Sequence, residues 1–131
     1  MLVVLDTNIL VSALWSKNGN PQKLLDLVAA RQITPCYDAR MIAEYQVVLG
    51  RPRFRFSPEE VFAVLDSIKK DGLSMAPVPI DVSFTDEADR KFYEVARFCC
   101  ATLITGNLKH FPDEPGIMTP PRFCGSSHRK R

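Results

Sequence analysis

The chain has 131 residues, of which 46% are hydrophobic and 24% are charged, and its formal net charge is +2 at pH 7. This length suits one domain with a single core, and this composition excludes a chain that is disordered throughout. The net charge is too small to indicate nucleic-acid binding by itself. Its distribution is uneven, because Arg51, Arg53 and Arg55 fall in one short stretch and residues 129–131 are all basic.

The four cysteines have no C-x-x-C spacing, so they fit neither a zinc knuckle nor a disulfide framework. We expect free thiols in a reducing cytoplasm. The N-terminus lacks the basic segment of a signal peptide, and no window approaches the ~20 apolar residues of a membrane span. These features predict a cytoplasmic protein with no membrane segment.

The first predicted element is a strand over residues 2–5, a short apolar run that ends at Asp6. Such a run is typical of a buried strand in a parallel sheet. A short helix or helical turn follows over residues 9–15. Residues 20–21, Asn-Pro, are typical of a helix start, and the apolar spacing carries this helix to about Arg31.

The next segment predicts a second strand and a helix. Residues 33–37 form the strand, and Pro35 favours an edge position because proline has no backbone N–H. Asp38 can cap the following helix, and Gly50 ends it. The apolar residues of this helix have the spacing of an inward face. They are Met41, Ile42, Tyr45, Val48 and Leu49.

Residues 57–60 have the pattern of a capping box, which starts an amphipathic helix that ends at Asp71. Residues 75–80 are interrupted by proline and could form an irregular edge strand. A last long helix opens at residues 85–89. Residues 101–105 then form another strand.

The remaining chain is rich in proline and glycine, with one short strand predicted near residues 117–118. Strands that alternate with helices predict an α/β fold, in which helices cover both faces of a mostly parallel sheet. We expect one domain over residues 1–124 and a basic, flexible tail over residues 125–131.

Polar clusters follow two of the predicted strands, at residues 6–8 and 105–107. Open parallel sheets bind ligands beyond the carboxyl ends of their strands. Two helices can add acids nearby, because Glu44 lies beside the apolar face of one helix and Asp89 is on the core side of the other. We therefore expect these acids to meet at one mouth of the sheet.

Carboxylates that converge on one crevice repel each other unless a cation lies between them. Mg²⁺ or Mn²⁺ suits an all-oxygen site better than zinc does, and such a site is typical of nucleases. Each residue also has a simpler explanation. Asp6 can form an Asx-turn with Asn8, Glu44 can be an ordinary paired carboxylate, and Asp86 and Asp89 can favour a helix N-terminus.

Four segments together resemble the PIN-domain family. They are L-V-V-L-D-T-N-I-L at residues 2–10, M-I-A-E-Y around Glu44, D-E-A-D-R-K-F-Y-E-V-A at residues 86–96 and A-T-L-I-T-G-N at residues 101–107. The likeness covers residues 2–123. The version with R-P-R-F-R-F and T-G-N-L-K-H-F-P is similar to a branch of toxins from bacterial toxin–antitoxin pairs, which resemble VapC ribonucleases.

The resemblance implies a three-layer α/β/α sandwich and endonucleolytic cleavage of RNA with Mg²⁺ or Mn²⁺. It implies that Asp6, Glu44 and Asp89 are catalytic acids that hold the metal, and that Asn8 supports Asp6. Asn107 stands where many members have a fourth Asp. Its amide oxygen can assist but brings no charge, so we expect weaker binding of any second cation. The resemblance also implies an antitoxin partner and a homodimer or higher oligomer.

Other polar residues near these motifs have two explanations each. Thr7 and Thr105 can bond phosphate or neighbouring carboxylates, or they can satisfy the backbone of a turn. Asp86 could compensate for Asn107, although its position favours a helix cap. His110 is expected to be a structural loop residue.

The arginine stretch alternates with two aromatic residues, Phe54 and Phe56. Arg51, Arg53 and Arg55 could hold RNA phosphates. The alternative is a solvated loop that the two phenylalanines anchor.

Two further functions fit the same residues. A weakened PIN domain could grip RNA or an antitoxin without cutting, and Asn107 favours that interpretation. A phosphatase with an aspartate nucleophile could also place Asp6 at a strand end. Such enzymes have a second Asp two residues on, where this chain has Asn8.

Overall fold

The centre of the molecule is a sheet of five parallel strands. The computed structural model describes the backbone of residues 1–129 and the side chains of residues 1–125. In this part of the chain the strand order is β3-β2-β1-β4-β5. The strands are β1 (Leu2–Leu5), β2 (Thr34–Tyr37), β3 (Leu73–Ser74), β4 (Thr102–Ile104) and β5 (Ile117–Met118).

Helices flank this sheet, so the predicted α/β fold with a parallel sheet is confirmed. The described α-helices are α1 (Thr7–Trp15), α2 (Asn20–Ala29), α3 (Ala39–Leu49), α4 (Pro58–Asp71), α5 (Arg90–Cys99) and α6 (Pro120–Arg129). Short 3-10 turns occur at Pro52–Phe54, Glu87–Asp89 and Leu108–His110.

β1 occupies the middle of the sheet because its side chains are apolar on both faces. Val3, Val4 and Leu5 are buried, as are Leu103 and Ile104 of the neighbouring β4. A strand with no polar face is stable only where helices cover both sides of the sheet. Burial thus fixes β1 as the central strand.

Two helices begin at the caps that the sequence predicts. The Asp38 side chain accepts a hydrogen bond from the Met41 backbone N–H at 2.9 Å. At the start of α4, Ser57 and Glu60 form a reciprocal capping box. These bonds satisfy N–H groups that have no partner within the helix.

The predicted edge position of β2 is wrong, because β2 lies between β1 and β3. The backbone N–H of Thr34 donates towards β1, to Met1, whereas the carbonyl of Tyr37 accepts a bond from Met75 on the β3 side. By alternation, Pro35 faces the β3 side. The two-residue β3 starts opposite Cys36, beyond Pro35, so the missing N–H leaves no ladder bond unmade.

Two predicted elements begin elsewhere in the structure. The edge strand is β3 at Leu73–Ser74, and residues 75–80 form no strand. The helix predicted to open at residues 85–89 begins with a 3-10 turn, and α5 starts only at Arg90.

The predicted domain end and the predicted tail at the C-terminus stay predictions. α6 continues to Arg129, beyond the predicted domain end at residue 124. Residues 130–131, and the side chains from 126 onwards, lie outside the described residues, so the basic tail stays a prediction. No helix in the part of the chain that the structure describes has the length and apolar character needed to cross a membrane.

Candidate active site

The first part of the site lies where the two central strands end together. Leu5 of β1 is in register with Ile104 of β4, so Asp6 and Thr105 follow side by side. The Asp6 backbone N–H donates to the Ile104 carbonyl at 3.0 Å. The Thr105 hydroxyl donates to Asp6 Oδ2 at 2.7 Å, and only 7% of Asp6 is exposed. The parallel pairing therefore fixes this carboxylate at the mouth of the sheet.

The pKa of the Asp6 carboxyl group is raised. Burial raises its pKa from the ordinary 3.8 to about 6, although the Thr105 hydroxyl and the Thr7 backbone N–H stabilise the charged form. The negative charges of Asp89 and Glu44 contribute to this rise. The three predicted acids are therefore close enough to act on one another electrostatically.

Glu44 reaches the site from α3. The next residue, Tyr45, is fully buried, and its hydroxyl donates to the Leu5 carbonyl at 2.5 Å, which fastens α3 to the end of β1. The Thr7 hydroxyl donates to Glu44 Oε2. The Lys91 ammonium lies 2.6 Å from Oε1. Both Glu44 oxygens are thus engaged by the protein itself.

Asp89 ends the 3-10 turn that precedes α5. Its Oδ2 is buried and has no hydrogen-bond partner, although His110 Nδ1 lies 3.4 Å away. Burial raises the pKa of Asp89, although His110 and Lys91 lower it, and the charges of Asp86 and Glu44 add to the rise. A buried carboxylate oxygen without a partner is costly, so this position favours a bound cation or donor.

These elements enclose a cleft of about 310 Å³. Carboxylates, amides and basic groups share its walls. The polar lining residues are Asp6, Thr7, Asn8, Arg51, Arg53, Asp86, Asp89, Asn107 and His110, and the apolar ones are Val11, Val48 and Phe54. Glu44, Thr105 and Arg55 are not among the lining residues, but Glu44 bonds Thr7 and Thr105 bonds Asp6.

Both asparagines form hydrogen bonds with the loop after β4, Asn8 from the first turn of α1 and Asn107 from within the loop. The Asn8 side-chain oxygen accepts a bond from the Gly106 N–H at 3.4 Å. The Asn107 N–H donates to the Thr105 hydroxyl at 3.0 Å. This second bond orients the hydroxyl towards Asp6. Asp86 accepts from the Ala88 N–H at 3.0 Å, which is the capping role that its sequence position favours.

A second pair of buried acids lies nearby but is neutralised internally. Arg40 contacts Asp38 at 2.6 Å and Glu94 at 2.8 Å. Glu94 also accepts a bond from the Ile80 N–H at 2.9 Å. Arg40 and backbone donors satisfy these two carboxylates, so they need no further partner.

The oxygen ligands suit a hard divalent cation, and the orphaned Asp89 Oδ2 is an oxygen that such an ion would satisfy. Among the side chains that the structure describes, however, no three acids, histidines or cysteines form a ready metal cage. Glu44 is held by Lys91 instead. Among the described residues, Asp6 and Asp89 form no ion pair with a lysine or an arginine.

Sequence reasoning missed two contributors and undervalued a third. Lys91 pairs with an acid on another helix, and Tyr45 bonds a strand carbonyl. His110, expected to be structural, lines the cleft beside Asp89. The position of Lys91, two residues after the candidate acid Asp89, was the one available signal, but spacing along the chain does not show which way its amine turns.

The sequence matches the PIN-domain family over residues 2–109. The chain belongs to the PIN-domain family. PIN domains are in general nucleases, so this fold is of a nuclease type. The matched residues include Asp6, Glu44, Asp89 and Asn107.

The PIN domain also has a curated relative in an archaeon. The uncharacterized protein MJ1680 of Methanocaldococcus jannaschii is 30% identical over 108 residues, which cover 80% of this chain and 70% of the relative. This likeness supports the family and assigns no substrate, because the relative is itself uncharacterized.

Proposed function

We propose that this PIN domain is a metal-dependent endoribonuclease and the toxin of a toxin–antitoxin pair. One observation carries the proposal. The carboxylates of Asp6, Glu44 and Asp89 come from three separate elements and act on each other's charge at one mouth of the sheet. A protein gains nothing in stability from such repulsion, so function is the better explanation.

Asp6 and Asp89 would hold the cation, which we propose is Mg²⁺ or Mn²⁺. When bound, such an ion activates water and offsets phosphate charge. Thr105 fixes the orientation of Asp6. Glu44 would either join the cation or orient the attacking water once Lys91 releases it, and Asn107 would assist with its amide oxygen.

The arginines of the cleft supply the complementary charge for RNA. Arg51 and Arg53 line the same cleft as the acids. Neither forms an ion pair with a carboxylate among the described residues. Free guanidinium groups of this kind are suited to phosphate oxygens. The two arginines would bring a phosphodiester up to the carboxylates. Without the arginines, the negative carboxylates would repel the phosphate.

The toxin assignment brings further proposals. The family resemblance supports a cognate antitoxin, assembly as a homodimer or higher oligomer, and a cytoplasmic location. The cleft offers an antitoxin a simple target, because a basic side chain inserted between Asp6 and Asp89 would occupy the place of the cation.

Cleavage of labelled RNA tests the nuclease. Wild-type protein with Mn²⁺ should cut, and EDTA should stop the reaction. Asp6→Asn should reduce the rate by about a hundredfold or more, because one charged ligand is lost. Asp113→Asn, which changes an exposed carboxylate outside the cleft, is the matched control and should cut normally.

Two other results would replace the proposal. RNA binding without cleavage by the wild type would identify a binding module, which the Lys91–Glu44 pair and the uncharged Asn107 favour. Acid-labile phosphate on Asp6 would identify a phosphatase. Equal cleavage by wild type and Asp6→Asn would trace the activity to a contaminant.

A further inference from the structure

Three aromatic side chains form a cluster that the acidic site does not use. We call Trp15, Phe54 and Phe56 the aromatic platform. Phe54 and Phe56 stack with centroids 5.4 Å apart and planes 15° from parallel. Trp15 meets both of them edge-on, at 5.4 and 6.1 Å. Even so, Trp15 is 64% exposed, so much of its indole surface has no partner within the chain.

The aromatic platform is continuous with the cleft. Thr7, Val11 and Trp15 are spaced four residues apart on α1, so they lie along one face of the helix. Thr7 and Val11 line the cleft, and Trp15 extends the row by one turn. Phe54 also lines the cleft. From Thr7 to Trp15 the distance along the helix axis is about 12 Å.

Arginines interleave with the aromatic platform. The Arg53 guanidinium lies 5.0 Å from the centre of the Phe54 ring. Arg51, Arg53 and Arg55 are all exposed, and none is paired with an acid in the part of the chain that the structure describes. Aromatic rings for bases beside cations for phosphates are the two components of a single-strand binding groove.

The segment that presents these groups is preformed. The 3-10 turn Pro52–Phe54 closes with the Phe54 N–H donating to the Arg51 carbonyl at 3.1 Å. The Arg55 N–H donates to the Pro52 carbonyl at 3.1 Å. A surface that is already ordered loses little entropy when it binds.

We propose that the aromatic platform stacks an unpaired base of single-stranded RNA while Arg51 and Arg53 hold the adjoining phosphates and lead the strand into the cleft. The identity of this RNA as substrate rests on the proposed nuclease function; the stacking itself does not. A protein partner would also cover an exposed tryptophan, but the three unpaired arginines favour a polyanion. Stacking needs an unpaired base, so the aromatic platform selects single strands over duplex.

The fluorescence of the protein reports this contact directly, because Trp15 is the only tryptophan in the chain. The probe is a 2′-O-methyl RNA oligonucleotide, which resists cleavage, in EDTA. Single-stranded probe should quench the emission in a saturable way. The same probe annealed to its complement should leave the emission nearly unchanged. Quenching by the duplex alone would overturn the proposal.

Variants measure the contribution of the ring to affinity. By anisotropy of a labelled probe, Trp15→Ala should raise the Kd about tenfold, equivalent to about 1.4 kcal/mol. Trp15→Phe should recover most of the affinity. Phe98→Ala is the matched control, because it also removes an exposed aromatic ring; Phe98 is 51% exposed. It lies near the end of α5, just before β4 begins, whereas the cleft lies where β4 ends. Phe98→Ala should bind like the wild type.

Other occupants give different results. If Trp15→Ala binds RNA normally and instead converts a dimer to a monomer in sedimentation, the aromatic platform is a contact between two copies and the proposal is wrong. If wild type never cleaves RNA but shows the quenching and the loss in Trp15→Ala, the nuclease proposal fails and the base-stacking surface stands. Circular dichroism of each variant verifies folding, and Trp15→Phe keeps the test open if Trp15→Ala unfolds.

Discussion

The charge on Asp6 destabilises this protein, so removal of that charge should stabilise the fold while it abolishes cleavage. The folded chain keeps a proton on Asp6 up to about pH 6, whereas an unfolded chain loses it near 3.8. Between these values the folded state binds more protons, so its free energy of unfolding falls as pH rises. The two pKa values differ by an amount worth about 3 kcal/mol at most.

Asp6→Asn removes the titrating group and keeps an oxygen that can accept the Thr105 bond. In EDTA, the free energy of unfolding of the variant relative to wild type should rise between pH 4 and pH 7, by up to about 3 kcal/mol. In a domain of this size, 2 kcal/mol corresponds to roughly 7 °C in Tm. Thermal and urea unfolding of both proteins across this pH range measure the difference directly.

The pH dependence decides this prediction. An Asn side chain could cost stability for unrelated reasons, but such a cost would be the same at every pH. A difference between the two proteins that stays flat from pH 4 to pH 7 would refute the reasoning. Mn²⁺ supplies a second check, because it should raise the Tm of wild type far more than that of Asp6→Asn.

Substitutions at Asn107, Lys91 and Gly72 test the site and the packing, with Gly116→Ala as a control. Asn107→Asp should bind Mn²⁺ more tightly and lower the Tm in EDTA, since it adds a fourth negative charge to the cleft; calorimetry and thermal shift measure these effects. Lys91→Met should also tighten Mn²⁺ binding, because it releases Glu44. Without metal, the same substitution should lower the free energy of unfolding in urea by about 1 kcal/mol. Weaker metal binding would contradict the view that Lys91 competes with the cation. Gly72→Ala would put a Cβ 2.3 and 2.5 Å from two backbone carbonyl oxygens, so it should lower the free energy of unfolding by about 1–3 kcal/mol. The Cβ of Gly116→Ala would meet nothing within 4 Å, so that substitution should leave the stability nearly unchanged.

The sequence alone predicted the elements whose causes are local. The apolar run of β1, the Asp38 cap and the Ser57–Glu60 capping box depend on residues within four positions of one another, and the structure confirms them. Its motifs also predicted the PIN-domain family, which the match over residues 2–109 confirms. The roles of the acids stay predictions, although the structure brings their charges together.

Other features depend on contacts that no local pattern contains. Pro35 predicted that β2 is an edge strand, yet β2 is an interior strand. The short β3 pairs with β2 only from Cys36 onwards, so the missing N–H of Pro35 does not prevent the pairing. Lys91 is one of several charged residues near the start of α5, and only the packing of α5 beside α3 turns its amine to Glu44.

The aromatic platform likewise depends on the packing of α1 beside the Pro52–Phe54 turn, which brings residues distant in the chain together. Hydrophobic periodicity and capping act within a turn or two of backbone, so the order of residues determines them. Pairing between groups 37 or more positions apart, as for Thr7 with Glu44, depends on how the layers pack. The tertiary structure therefore decided which carboxylates are paired within the protein and which are not.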